Sequence, residues 1–258
     1  ANNNGSGTVS VINTTTYVTT TVAVGTRPRA IAVHPAGTHV YVSHTEELSN
    51  DDVVSIIDTT THSVVEVVAG DELYGIAVHP AGTFVYTTSL FTNEVSVINT
   101  ETNNTETNAV VATVGVGGLP YGIAVNPTGT RVYVTNFSSD TVSVIDTADN
   151  TVAATVSVGF QPAGIVVHPA GTYVYVANYS GTVSVIGTAD NTVVATVPVA
   201  GDGPFNLAIN PLGTRLYVTQ TDDNRVLVDS DFVSVIDMTT HTVIGTIQVG
   251  NDPHTVAI

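Results

Sequence analysis

The chain has 258 residues, of which 43% are apolar, and its 22 acidic residues face only five basic ones, all arginine. The resulting formal charge of −17 excludes a nucleic-acid partner, because binding a polyanion requires a basic surface. Without cysteine there is no disulfide, thiolate metal site or covalently attached c-type haem. No apolar run approaches the roughly 20 residues needed to cross a bilayer, so we expect no transmembrane segment in this chain.

Charged residues make up only 10% of the chain, so Thr, Ser and Asn must cover most of the surface. Such a lysine-free surface is unusual inside cells and common outside them. The composition therefore predicts an extracellular or cell-surface protein. The abundance of β-branched Val and Thr favours strands over helices.

The first 25 residues contain two predicted strands, at 8–12 and 19–24. After them, one unit recurs, and it is clearest in residues 121–159. There we predict strand a at 122–126, b at 131–135, c at 141–145 and d at 151–158, separated by turn residues. The unit returns with spacings of 45, 47, 42, 42 and 49 residues, measured between the following positions: Ile31, Ile76, Ile123, Ile165, Leu207 and Val256.

A repeat of this length with four antiparallel strands and no helical periodicity predicts an all-β fold, a β-propeller of four-stranded blades. We expect a single domain over residues 1–258, with five complete blades in 26–250. A sixth blade would be split, with strands c and d from residues 1–25 and strand a from 251–258. Residues 1–258 contain no segment for strand b of this split blade, and we expect that strand to be supplied from outside them. The prediction is therefore a propeller of six blades, or of seven if residues are missing from this sequence.

Strand b of the unit spells Tyr133-Val134-Thr135-Asn136, and it is followed by a "VSVIDT" strand. These motifs resemble the YVTN β-propeller repeat, which is typical of surface-layer and other cell-surface proteins of archaea and bacteria. The resemblance covers the whole chain and implies a structural or interaction module rather than an enzyme. Its expected partners are protein neighbours in a surface layer, filament or polymer, and possibly carbohydrate.

Propellers place their b–c and d–a loops at the same end of the blades. The residue two positions before each repeated Ile-Ala-Val phrase should lie at this end of its blade. Its identity differs from blade to blade, although the surrounding repeat is nearly constant. We predict a ligand site from five of these residues: Arg29, Tyr74, Tyr121, Phe205 and His254. The sixth is Ala163. Aromatic rings can stack on an apolar or sugar-like group, but they can equally serve as a plug for a channel.

Propellers of related repeat type include lactonases and lyases with a divalent metal held by carboxylates and histidine. This likeness implies Glu72, Asp252 and His254 as metal ligands and keeps an enzyme open as the alternative. Two b–c loops are enlarged and acidic: residues 43–52 and 219–232. Their carboxylates could bind Ca²⁺, or the loops could simply be solvated. We predict no cofactor, and Ca²⁺ or another divalent ion is the alternative.

Three histidines precede the turn proline of strand a: His34, His79 and His168. Turn capping is favoured over zinc, because asparagine replaces them in other blades. The serine that recurs in every strand c is predicted to be structural. Five Asn-x-Ser/Thr sequons suggest a glycoprotein: Asn4, Asn13, Asn103, Asn136 and Asn178.

Overall fold

The computed structural model describes residues 2–3, 6–45, 52–100, 109–199, 203–220, 231–250, 253 and 256. These ranges contain strands, turns and bends but no helix, and therefore no helix that could span a membrane. The chain divides into two compact units, residues 1–116 and 117–258.

The described residues of the first unit form three antiparallel sheets in which consecutive strands of the chain are neighbours. The three-stranded sheet consists of β1 (Asn2–Asn3), β2 (Thr8–Ile12) and β3 (Thr19–Ala23). The second sheet consists of β4 (Pro28–Val33), β5 (His39–His44), β6 (Asp52–Asp58) and β7 (Val64–Gly70). The third consists of β8 (Leu73–Val78), β9 (Phe84–Ser89), β10 (Glu94–Asn99) and β11 (Ala109–Gly115).

In the second unit, the part of the chain that the structure describes forms three four-stranded sheets of the same kind. The first of them consists of β12 (Pro120–Val125), β13 (Arg131–Asn136), β14 (Thr141–Asp146) and β15 (Thr151–Ser157). The next consists of β16 (Pro162–Val167), β17 (Tyr173–Asn178), β18 (Thr182–Gly187) and β19 (Thr192–Pro198). The last consists of β20 (Pro204–Ile209), β21 (Arg215–Gln220), β22 (Phe232–Asp237) and β23 (Thr242–Gln248).

The predicted four-stranded antiparallel blades are confirmed by these five sheets. The strands predicted at 8–12 and 19–24 are present as β2 and β3, and β1 pairs with β2. Their assignment as strands c and d of a split blade stays a prediction. The strand a predicted within 251–258 falls outside the described residues apart from Pro253 and Val256. The single domain over 1–258 stays a prediction.

Apolar side chains fill the layers between adjacent sheets within each unit. In the first unit, Tyr41 and Ile56 of the second sheet pack with Ile76 and Val78 of the third. Four strand-b tyrosines are at most 1% exposed: Tyr41, Tyr86, Tyr133 and Tyr175. Burial disfavours a phenolate and raises the pKa of Tyr86 to about 12. These four strand-b tyrosines are therefore core residues, whereas Tyr217 of β21 is half-buried.

Four of the described turns between strands c and d are closed by an aspartate or asparagine at or next to the end of strand c: Asn13, Asp58, Asp146 and Asp237. Asp58 accepts backbone hydrogen bonds from Thr60 and Thr61, at 2.9 and 2.7 Å, and His62 follows with φ of 58°. These N–H groups stabilise the carboxylate and lower the pKa of Asp58. The turn chemistry anticipated from the sequence is thus present.

Candidate functional site

The loops that follow strands b and d lie together at one end of the sheets, which we call the d–a end. In the second unit, the Phe137 N–H donates to the Leu119 carbonyl at 3.0 Å, and the Tyr179 N–H donates to the Gln161 carbonyl at 3.1 Å. The Gln161 N–H donates to Asp140 Oδ1 at 2.8 Å. Leu119 and Gln161 both have positive φ, 49° and 51°. Each d–a loop is therefore held in one conformation by the neighbouring b–c loop.

A buried hydroxyl on strand b positions the variable residue of the next blade. Thr135 Oγ1 accepts the Gly122 N–H at 2.8 Å and donates to the Ala163 carbonyl at 2.7 Å. In the first unit, Ser43 Oγ donates to the Tyr74 carbonyl at 2.8 Å. At Tyr74 and Ala163, the variable position is thus held by a hydrogen bond from the third residue of the YVTN-like phrase in the preceding blade.

In the first unit, the structure brings together three predicted residues, Arg29, Glu72 and Tyr74. Arg29 Nη2 donates to Glu72 Oε1 at 2.9 Å, and Arg29 Cζ lies 5.8 Å from the centroid of the Tyr74 ring. The Arg29 and Glu72 side chains are 29% and 24% exposed. This group presents a guanidinium, a carboxylate and a phenol to a polar ligand.

In the second unit, aromatic rings from non-adjacent blades meet. The Tyr121 and Phe205 ring centroids are 5.8 Å apart with their planes at 82°, and Phe137 lies 5.7 Å from Tyr121. The intervening blade carries Ala163 at this position, fully buried, and its small side chain leaves room for the two rings. On the neighbouring loop Phe160 is 56% exposed. This d–a end therefore carries an aromatic cluster, which we define as Tyr121, Phe137 and Phe205.

The metal site implied for Glu72, Asp252 and His254 is described only in part. Asp252 and His254 lie outside the described residues, so their place beside the other predicted residues stays a prediction. The Glu72 carboxylate is already engaged by Arg29. No cluster of three metal-ligating side chains occurs within the part of the chain that the structure describes.

The predicted calcium loops also fall largely outside the described ranges. Asp52, at the end of the first loop, accepts the Leu73 N–H through Oδ2 at 3.2 Å and is 2% exposed. This buried carboxylate supports the start of strand β8. The Ca²⁺ site itself stays a prediction.

The histidines that precede the turn proline are turn caps. Nδ1 accepts a backbone N–H two residues later in His34, His79 and His168, at 3.1, 3.1 and 3.0 Å. Since Nδ1 accepts, Nε2 carries the proton, and in His168 it reaches the Gly213 carbonyl of the next blade at 3.1 Å. The structural role expected from the sequence is thus shown by these contacts.

Two of the predicted glycosylation sites lie in the interior of a blade. Asn136 and Asn178 are fully buried, and their Nδ2 atoms donate to Ser143 and Ser184 of the adjacent strand c, each at 2.9 Å. A glycan on Nδ2 would have to displace these hydrogen bonds inside the blade. Asn13 is exposed and stays a predicted site. The sequons at Asn4 and Asn103 lie outside the described residues.

The same hydrogen bonds give the recurrent strand-c serines their structural role. In the second sheet His44 Nε2 lies 2.9 Å from Ser55 Oγ, and in the last sheet Ser234 Oγ donates to Gln220 Oε1 at 2.6 Å. Sequence reasoning recognised the repeated serine but missed its partner, the last residue of strand b. It also missed Phe137, although an aromatic directly after the YVTN-like phrase was a visible signal.

Replacing the Thr135 hydroxyl should destabilise the second unit. In Thr135→Val the Gly122 N–H and the Ala163 carbonyl lose a buried partner, at a cost of about 2 kcal/mol. The fourth blade has Ala177 at this position, so Ala177→Ser should add the missing hydroxyl and gain about 1 kcal/mol. Urea unfolding of both variants measures these opposite effects. Equal free energies for Thr135→Val and the unmodified protein would contradict the assigned role.

Comparisons with known proteins agree with the propeller architecture. The family model described as "Lactonase, 7-bladed beta-propeller" matches residues 6–155. The Kuenenia stuttgartiensis hydrazine synthase is 26% identical with a TM-score of 0.64, and the match covers 69% of this chain and 49% of that one. The present chain thus spans about half the length of that protein.

A structure of a functionally unknown protein from Desulfotomaculum acetoxidans DSM 771 has a TM-score of 0.78 at 17% identity. The match covers 96% of this chain and 82% of that one, so it supports the fold alone. No curated protein gives a significant match.

Proposed function

The chain belongs to the lactonase family of seven-bladed β-propellers, and we propose that on this fold it acts as a non-catalytic, cell-surface protein that binds carbohydrate at the d–a end of its second unit. The observation that carries the proposal is the aromatic cluster of Tyr121, Phe137 and Phe205. These half-buried rings occupy positions at which an otherwise regular repeat varies, and hydrogen-bonded loops hold them in place.

Sugar rings combine an apolar face with a polar edge, and this end of the molecule offers contacts for both. Aromatic faces stack on the apolar side of a pyranose, and loop hydroxyls such as those of Ser138 and Ser139 are available to its edge. The net charge of −17 disfavours acidic sugars by repulsion, so neutral glycans are the preferred class. The Thr-rich, lysine-free composition supports the extracellular location.

The carbohydrate proposal is tested by saturation-transfer NMR with soluble oligosaccharides of neutral hexoses, N-acetylhexosamines and uronic acids. We expect binding of a neutral oligosaccharide and about a tenfold weaker affinity in Phe205→Ala, because one stacking ring is lost. Phe91→Ala is the matched control, since Phe91 is 65% exposed but belongs to the first unit. Equal losses in the two variants, or binding to no neutral oligosaccharide, would refute the proposal.

A second candidate, metal-assisted lactone hydrolysis, is favoured by the family match itself. That match includes Arg29, Glu72 and Tyr74. A carboxylate beside a guanidinium could help to polarise water and stabilise an oxyanion. Metal analysis of the purified protein, followed by a pH-stat assay with a δ-lactone, separates the two functions. A stoichiometric divalent ion together with turnover that is lost in Glu72→Gln would replace the binding proposal with the enzyme.

A further inference from the structure

In the second unit the variable position of each strand a lies in a β-bulge. The pairing of β20 with β21 shifts register between Pro204 and Leu207, and the same shift occurs in β12 and β16. Phe205 and Asn206 therefore face Thr219 together. A bulge interrupts the strict alternation of side chains along a strand, and bulges are frequent next to ligand sites. The residue that follows each variable position thus belongs to the same local feature.

Asn206 occupies a position at which the other two sheets of the second unit have glycine. The equivalent residues are Gly122 in β12 and Gly164 in β16. A Cβ on Gly122 would lie 2.4 Å from the Ala163 carbonyl oxygen of the adjacent strand a, so packing requires glycine there. The side chain of Asn206 is therefore not part of the packing that the repeat specifies.

The Asn206 carboxamide lies at the free edge of β20. The Asn206 backbone N–H donates to Thr219 Oγ1 of β21 at 3.0 Å. Backbone N–H groups of a strand point alternately to its two edges, so the Leu207 N–H points to the edge that has no neighbouring strand in this sheet. Asn206 Oδ1 accepts the Leu207 N–H at 2.7 Å. This hydrogen bond places the carboxamide at the free edge and fixes its orientation.

The nitrogen of this carboxamide is a hydrogen-bond donor that reaches solvent. Asn206 Nδ2 has no acceptor among the described residues, and the atom is not buried, although the side chain is half-buried. The two side-chain oxygens next to it are already hydrogen-bonded. Oδ1 accepts from Leu207, and Thr219 Oγ1 bonds the backbone N–H and carbonyl of Asn206, at 3.0 and 3.3 Å. These side chains thus offer a ligand a donor without an acceptor beside it.

We propose that Asn206 selects N-acetylated hexosamines at the carbohydrate site, by donating a hydrogen bond from Nδ2 to the acetamido carbonyl oxygen. This inference rests on the carbohydrate binding proposed above. Consecutive Cα atoms are about 3.8 Å apart, so one sugar ring that stacks on Phe205 can also contact Asn206.

The choice of the acetamido group follows from the hydrogen bonds that the site can make. An amide carbonyl only accepts hydrogen bonds, which matches a donor that has no acceptor beside it. A sugar hydroxyl at this point would bring a proton for which the Asn206 and Thr219 side chains have no acceptor. A carboxylate would also accept, but the net charge of −17 disfavours an anionic sugar.

The test is a ligand-observed NMR titration with cellotriose and triacetylchitotriose, two trisaccharides that differ only at the second carbon of each sugar. We expect the unmodified protein to bind triacetylchitotriose about fivefold more tightly, because one neutral hydrogen bond is gained. Asn206→Gly should give equal affinities, and the fold accommodates this glycine because Gly122 and Gly164 occupy the same position. Asn206→Asp keeps an acceptor for Leu207 but replaces the donor by a carboxylate oxygen, so triacetylchitotriose should bind about tenfold more weakly.

Asn191→Gly is the matched control. Asn191 lies in the turn between strands c and d of the fourth blade, at the opposite end of the sheet, and its φ of 56° suits glycine. This variant should keep the preference for triacetylchitotriose, and thermal unfolding confirms that each variant is folded.

Two results would overturn this inference and leave the carbohydrate proposal intact. One is equal affinity of the unmodified protein for the two trisaccharides, and the other is a preference that survives in Asn206→Gly. If neither trisaccharide nor any other neutral oligosaccharide binds, both proposals are refuted.

Discussion

Gly122→Ala should unfold or severely destabilise the second unit, with a loss of about 3 kcal/mol or more. A Cβ at Gly122 would lie 2.4 Å from the Ala163 carbonyl oxygen and 3.2 Å from Ile165 Cγ2. The nearer atom is backbone of the adjacent inner strand, so it cannot rotate away as a side chain could. The two strands would have to separate, which costs packing and the Thr135 hydrogen bonds.

Gly245→Ala is the matched control for this prediction. Gly245 lies on the outer strand β23 of the same unit, and a Cβ there has no atom within 4 Å. Replacing it should leave stability unchanged or raise it by about 0.5 kcal/mol, because glycine is poor in strands. Urea unfolding followed by circular dichroism compares the two variants. A Gly122→Ala protein as stable as Gly245→Ala would disprove the close approach of β12 and β16.

Tyr175→Ala should cost about 4 kcal/mol, because it empties a fully buried site. Tyr175 is 0% exposed and packs with Leu207, Leu216 and Val218 of the following blade. Removal of a large buried side chain leaves a cavity that the surrounding strands fill only partly. Chemical unfolding monitored by circular dichroism measures the loss.

Tyr175→Phe separates the ring from the hydroxyl. The hydroxyl lies 3.4 Å from His241 Nε2, a long hydrogen bond, so its loss should cost only about 0.5–1 kcal/mol. The expected order of stability is therefore wild type, then Phe, then Ala. A Phe variant as unstable as the Ala variant would show that the contact with His241, rather than core packing, is what Tyr175 contributes.

The fold followed from the sequence because its signals are local and repeated. Alternating β-branched residues, Asx turns and glycine turns each specify one strand or one connection, and their repetition makes the boundaries visible several times over. The paired phrases at Tyr133 and Ser143 accordingly lie on adjacent strands of one sheet, with Val134 opposite Ser143. The variable positions Arg29 and Tyr74 were located for the same reason, by comparing repeats.

The contacts at those positions could not be obtained in this way, because they depend on side chains from different blades. The Arg29–Glu72 pair joins residues 43 positions apart, and the Tyr121–Phe205 contact depends on the small size of Ala163. The burial of the sequons at Asn136 and Asn178 could not be obtained from the sequence for a related reason. The local triplet is correct, but burial of Nδ2 is set by the packing of strand b against strand c.

The sequence alone thus determined the strand order, the turn chemistry and the residues that vary between blades, since each depends on a few neighbours in the chain. Tertiary structure alone decided which of those residues meet, which polar groups are buried and where glycine is required. Gly122 shows the difference. Its φ needs no glycine, and only the approach of the Ala163 carbonyl to 2.4 Å from a Cβ position excludes every other residue.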